Sequence, residues 1–108
     1  MSEREEIRRK VRELLVPGGE PIGEAGRHPD IRVLPGDIAA AREFLQKFRE
    51  LGQVVAEAPA NYPGEMVLLG SGDRVGLRSR SKSGEPTIDV TVEYVPEVRK
   101  IKFVLRDE

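Results

Sequence analysis

The chain has no cysteine and no tryptophan among its 108 residues. Without cysteine there is no disulfide, no thiolate metal site and no cysteine nucleophile, and oxidising and reducing compartments are equally tolerable. A single histidine, His28, excludes a histidine-rich metal site and leaves one residue on which a Ser-His-Asp triad would have to be built. Three Phe and two Tyr are too few for the aromatic platform on which RNA-binding sheets stack bases. No apolar run approaches the roughly 18 residues of a membrane span. The opening Met1-Ser2-Glu3-Arg4-Glu5-Glu6 is charged and is not a signal peptide. The expectations are therefore no membrane anchor and a cytoplasmic location when the chain is expressed alone. An excess of positive charge is also lacking: the formal net charge is −1, against the basic balance usual for strong nonspecific nucleic-acid binders.

What is present suits one domain of 108 residues. A hydrophobic share of 38% beside a charged share of 34% describes a globular chain with a charged surface, not a disordered one. Ser2 and Glu5 form a capping-box pattern, and Ile7, Val11, Leu14 and Leu15 follow at helical spacing. A first helix is thus expected over 1–16, ended by Pro17-Gly18-Gly19, with an apolar stripe so narrow that it predicts loose docking. Residues 17–36 read as a loop with a short extended piece at Ile31-Arg32-Val33-Leu34. Asp37 reads as an N-cap, and Ile38, Ala41, Phe44, Leu45, Phe48 and Leu51 mark a core helix over 37–52 closed by Gly52.

After Gly52 the hydrophobic period falls to two, so 53–108 reads as sheet. Strands are expected at Gln53–Ala56, Glu65–Leu69, Asp73–Arg78, Thr87–Val95 and Val98–Leu105, the last two joined as a hairpin by Pro96-Glu97. No strand–helix–strand alternation suggests a parallel sheet. The fold class expected is α+β, with N-terminal helices packed on one face of a twisted four- to five-stranded antiparallel sheet.

Alternation then sorts the side chains. Ile88, Val90, Val92, Ile101, Phe103, Val75 and Leu77 point inward. The opposite face collects Arg78, Thr87, Asp89, Thr91, Lys100 and Lys102, beside the loop Ser79-Arg80-Ser81-Lys82-Ser83-Gly84-Glu85-Pro86. Arg74 to Lys82 contains four cations and no acid, and Arg99, Lys100 and Lys102 form a second basic cluster. Arg and Lys can hold a phosphate, Ser and Thr can hydrogen-bond it, and Asp89 can act as a weak base or orient a lysine. A polar outer face is equally the ordinary state of a solvated antiparallel sheet.

Other features have two readings each. Gly70-Ser71-Gly72-Asp73 is a hairpin turn and not a phosphate loop, because no helix follows it. His28 sits in a Gly/Pro loop, where imidazoles are usually solvated but can serve as general acid–base groups, since the class titrates near neutrality. Tyr62 is placed either to stack on a base or to cover the core edge.

The segments Tyr62-Pro63-Gly64, Val75-Gly76-Leu77-Arg78, Ser81-Lys82-Ser83-Gly84-Glu85-Pro86-Thr87-Ile88-Asp89-Val90 and Lys100-Ile101-Lys102-Phe103 carry a resemblance. Together they resemble the C-terminal toxin domains of bacterial polymorphic toxins, of the contact-dependent-inhibition and Rhs types, within the barnase–EndoU–colicin–RelE superfamily of metal-independent ribonucleases. The resemblance covers the last half of the chain and, more faintly, Gly26 to Leu51.

It implies helices on an antiparallel sheet and cleavage of RNA, tRNA foremost, by 2′-hydroxyl attack, leaving a 2′,3′-cyclic phosphate with no metal or other cofactor. It implies Arg78 and Lys102 on the phosphate, Ser83 and Thr87 orienting the phosphate or the 2′-hydroxyl, and Lys82 or His28 moving protons. Arg80, Ser81, Asp89, Lys100 and Tyr62 would contact the RNA. The partner implied is a cognate immunity or antitoxin protein, and the setting is delivery into the cytoplasm of a target bacterium. Such domains close long proteins, whereas this chain opens on Met1. The alternatives are therefore a non-catalytic protein-binding module of the antitoxin or immunity kind, or an inactive or designed relative.

Overall fold

The computed structural model describes residues 3–51, 64–70, 73–78 and 84–105. Among them lie two α-helices, α1 (Glu3–Leu15) and α2 (Ile38–Arg49), and six strands. The strands are β1 (Glu24–Ala25), β2 (Ile31–Pro35), β3 (Gly64–Gly70), β4 (Asp73–Arg78), β5 (Thr87–Thr91) and β6 (Lys100–Val104). No described helix is long and apolar enough to cross a membrane.

The strands form one sheet in the order β1-β2-β6-β5-β4-β3. From β3 to β6 the chain meanders antiparallel, as the period-two pattern requires. β2, however, lies parallel to β6, and β1 folds back antiparallel on β2. The expected four- to five-stranded antiparallel sheet is therefore corrected to a six-stranded mixed one; the extended piece expected at Ile31–Leu34 forms β2, and β1 lies beside it in the segment expected as loop. The reason is that a parallel pair needs a long crossover. Here α2 and the whole meander separate β2 from β6, so no local pattern announces their pairing.

α2 forms where its sequence says it should. The Asp37 side chain accepts from the Ala40 amide at 3.1 Å, which satisfies one of the donors left open at a helix start. Ala41, Phe44, Leu45 and Phe48 recur at helical spacing and are all buried. They meet the inward side chains of the sheet, Val67, Val75, Leu77, Ile88, Val90, Ile101 and Phe103. Phe44 lies 5.5 Å from Phe48 and 6.2 Å from Phe103, both in tilted ring pairs.

α1 docks more firmly than its narrow stripe predicts. Val11 and Leu15 are fully buried in the same core. Arg12 reaches across to the β5–β6 connection, where it takes both oxygens of Glu97, at 3.2 and 2.6 Å, and the Tyr94 carbonyl at 3.3 Å. Arg8 lies over the Tyr94 ring at 5.3 Å.

β5 stops at Thr91, short of the expected Val95. Two turns follow, with the Val95 amide donating to the Val92 carbonyl and the Val98 amide to the Val95 carbonyl. Val92, Val95 and Val98, three residues apart at the ends of these turns, are all buried, so they read in the sequence as a continuation of the strand. The expected strand at Gln53–Ala56 and the stop at Gly52 lie outside the described residues.

Candidate nucleic-acid interface

The strand register lays the open face out in rows. Arg78, Thr87, Lys102 and Val33 stand side by side across β4, β5, β6 and β2. The next row is Gly76, Asp89, Lys100 and Ile31. The expected face is thus assembled as alternation requires, with two apolar side chains of β2 along one margin.

Within the rows the charges pair. Gly76 has no side chain to stand between β4 and Asp89, and Arg78 reaches diagonally to it. Their bond is bidentate, Nε to Oδ2 at 2.7 Å and Nη2 to Oδ1 at 3.1 Å. Asp89 therefore orients an arginine. Lys102 donates to Glu85 Oε1 at 3.0 Å. Both pairs are only about a quarter exposed, at 21% and 25% of the side-chain surface.

Thr87, flanked by Arg78 and Lys102, is fully buried, and its hydroxyl donates to the Glu85 carbonyl at 3.3 Å. The resemblance implies Thr87 on a phosphate or a 2′-hydroxyl; its hydroxyl is turned to the Glu85 carbonyl here. Strand alternation gives the direction of a side chain but not its burial, and Thr87 is buried between its register partners Arg78 and Lys102.

His28 reaches the same place by way of β2. The β1–β2 connection is closed by the Gly26 amide on the Ile31 carbonyl at 2.7 Å and the Ile31 amide on the His28 carbonyl at 3.0 Å. Arg32 fastens the segment from its core side, donating to the carbonyls of Ile22, Gly23 and Pro29 at 2.8, 3.0 and 3.0 Å. Gly23 has φ 71°, and a Cβ there would stand 2.4 Å from the Val33 carbonyl oxygen, so only glycine fits. Because β2 pairs with β6, the loop before it rises beside the cationic rows.

The result is a cleft of about 580 Å³ lined by Gly26, Arg27, His28, Ile31, Val33, Arg78, Lys100 and Lys102. Of the expected site residues it unites His28, Arg78, Lys100 and Lys102. His28 and Lys100 are exposed, whereas Arg78 and Lys102 are half-buried in their ion pairs. A smaller groove of about 330 Å³ continues past Lys100 along Arg74, Asp89, Thr91 and Arg99. Tyr62, Arg80, Ser81, Lys82 and Ser83 lie outside the described residues.

The sequence reading passed over Arg27 and Glu85 as functional residues. Neither sits in a strand, so periodicity carries no signal for them. Only the Gly/Pro composition around Arg27 and the position of Glu85 just before Thr87 mark them at all.

Chemically the cleft offers donors and positive charge to an oxyanion, and one imidazole. A guanidinium held by Asp89 through its Nε–Nη2 edge retains an Nη1 end that can take a phosphate oxygen without breaking the pair. Among the described residues no three His, Asp or Glu side chains gather as a metal ion would need. In comparisons of this chain with known proteins, no family model, no curated protein and no solved structure matches it.

Proposed function

We propose that the chain is an endoribonuclease of the metal-independent toxin type, acting on an RNA phosphodiester held against the open face of the sheet. The observation that carries this reading is the convergence of His28, Arg78, Lys100 and Lys102 on one cleft. The motif resemblance in β4–β6 and the loop between β4 and β5 supports it.

In the proposed reaction the ribose 2′-oxygen attacks the adjacent phosphorus and the 5′-oxygen leaves. The 2′-hydroxyl proton goes to a base, and the leaving oxygen receives a proton from an acid. The products are a 2′,3′-cyclic phosphate and a 5′-hydroxyl. His28 is one of the two proton-transfer groups and Lys82 the other. Lys100, Lys102 and the Nη1 end of Arg78 stabilise the charge that builds on the phosphoryl oxygens. Asp89 acts through Arg78 by fixing its plane. tRNA is the proposed substrate, and a cognate immunity protein covering this face is the proposed partner.

One observation favours a second reading, a non-catalytic module that binds another protein through this face. Glu85 and Asp89 already neutralise two of the cleft's cations, as suits an interface that discriminates partners by charge.

The deciding experiment is incubation of the purified chain with total bacterial RNA in EDTA, with northern probes for tRNAs. His28→Ala and Lys100→Ala are the informative variants, because both side chains are exposed and their loss is expected to spare the fold. Discrete fragments that disappear in these variants support the nuclease. Intact RNA at high protein excess, with the fold verified, rejects it and favours the binding module.

A further inference from the structure

His28 is a wall between two hollows. On one side lies the cationic cleft. On the other is a hollow of about 700 Å³ lined by Pro21, His28, Pro29, Asp30, Arg32, Pro96 and Glu97. Three prolines give it apolar walls. Its acceptors are the carboxylates of Asp30 and Glu97.

We propose that this second hollow seats the base of the nucleotide whose phosphate occupies the cleft, and that it selects bases presenting an exocyclic amine, with cytosine preferred over uracil. The proposal rests on the reading of the cleft as a phosphate site.

The chemistry follows from which groups face the hollow. Ionised carboxylates only accept hydrogen bonds. Cytosine offers an N4 amine where uracil, like thymine, offers an O4 acceptor. A carboxylate therefore rewards the first and repels the second. Arg99 stands 3.8 Å from the Asp30 carboxylate. Of the two lining donors, His28 and Arg32, the second has its Nε, Nη1 and Nη2 already turned to the carbonyls of Ile22, Pro29 and Gly23. It builds the wall and gives O4 little compensation.

The spacing of the two hollows is fixed by backbone. The Asp30 carbonyl accepts from the amides of Arg99 and Lys100, at 2.8 and 3.3 Å. One residue thus places its carboxylate at the base hollow and its carbonyl on the start of β6, whose Lys100 lines the phosphate cleft. Glu97 is held in place by its bidentate bond to Arg12. Such preorganisation lowers the ordering cost of binding.

The test is an amide chemical-shift titration of the whole ¹⁵N-labelled chain with inorganic phosphate, cytidine 3′-monophosphate and uridine 3′-monophosphate. All three are expected to move Lys100 and Lys102. Only the cytidine nucleotide is expected to move Asp30 and Glu97 as well, with an affinity about tenfold above that of the uridine nucleotide, the ratio set by one charge-assisted hydrogen bond. Asp30→Asn, which adds a donor at the same place, is expected to close that gap while leaving the response to inorganic phosphate unchanged. Equal affinities for the two nucleotides, or a gap that survives Asp30→Asn, overturns the base site while the phosphate cleft stands. Silence of Lys100 and Lys102 toward all three ligands overturns the cleft and the base site with it.

Discussion

Arg78 and Asp89 meet edge to edge across neighbouring strands, two residues out of register, with Nε–Oδ2 and Nη2–Oδ1 at 2.7 and 3.1 Å. The pair serves fold and site in opposite senses. Arg78→Ala leaves a half-buried carboxylate without its guanidinium and is expected to cost about 1 to 2 kcal/mol, below the 3–5 kcal/mol of a fully buried pair because water still reaches it. Asp89→Asn keeps the shape, releases part of the positive charge and is expected to tighten phosphate binding in the cleft severalfold. Urea denaturation checks the first expectation and phosphate titration the second. Weaker phosphate binding in Asp89→Asn would mean that the carboxylate's hold on Arg78 matters more than its charge.

Among the described residues Phe48 is the largest fully buried side chain, and it lies in the core that α2 shares with the sheet. Phe48→Ala is expected to cost about 3–5 kcal/mol, the transfer term plus the cavity left behind. An effect under 1 kcal/mol in thermal or urea unfolding would show that α2 contributes little to the core.

Asp37 caps α2 through the Ala40 amide. Asp37→Ala is expected to cost about 1 kcal/mol, and Asp37→Asn, which keeps an accepting oxygen, a few tenths. Equal losses in the two variants would assign the effect to the charge and not to the cap bond.

The stability of the α1 contact is expected to depend on pH at both ends of the scale. The hydrogen bond from Arg12 holds the Glu97 carboxyl below its ordinary value of 4.5. A depressed folded value means that this contribution is present above the unfolded value and is lost as pH falls through the folded one. Burial, then the charge of Asp73, pushes the Tyr94 phenol from 10.0 up to about 12, against the opposing influence of Arg8. A raised value means that the contribution is complete below 10.0 and is lost as pH rises from there to about 12, while the unfolded chain ionises first. Unfolding curves across pH should lose the acid slope in Glu97→Gln and the alkaline slope in Tyr94→Phe. Unchanged slopes would place the titrating groups elsewhere.

Much of the fold is legible in the sequence because it is local. The cap at Asp37, the Phe44–Phe48 spacing and the alternation of Thr87–Thr91 against Lys100–Val104 each depend on residues a few positions apart, and α2, β5 and β6 form there. The β2–β6 pairing is not legible, because Ile31–Pro35 is a five-residue run whose partner lies beyond α2 and the strands β3, β4 and β5. The site divides the same way. Arg78, Lys100 and Lys102 sit on one face by period alone, so their grouping can be read. The arrival of His28 beside them depends on the distant pairing and cannot be. The burial of Thr87 and the proline-walled hollow are likewise properties of neighbours in space.

The parallel alliance of β2 with β6 also sets a timetable. Every cation on the β6 side of the cleft belongs to residues that a ribosome adds after most of the sheet, and β2, which carries the His28 loop, lacks its β6 neighbour until they arrive. During vectorial synthesis the early segments, α1 through α2, can gain helical order first, while contacts of high sequence separation close last. An activity built on this cleft would therefore wait on the nascent chain until β6 is laid in place.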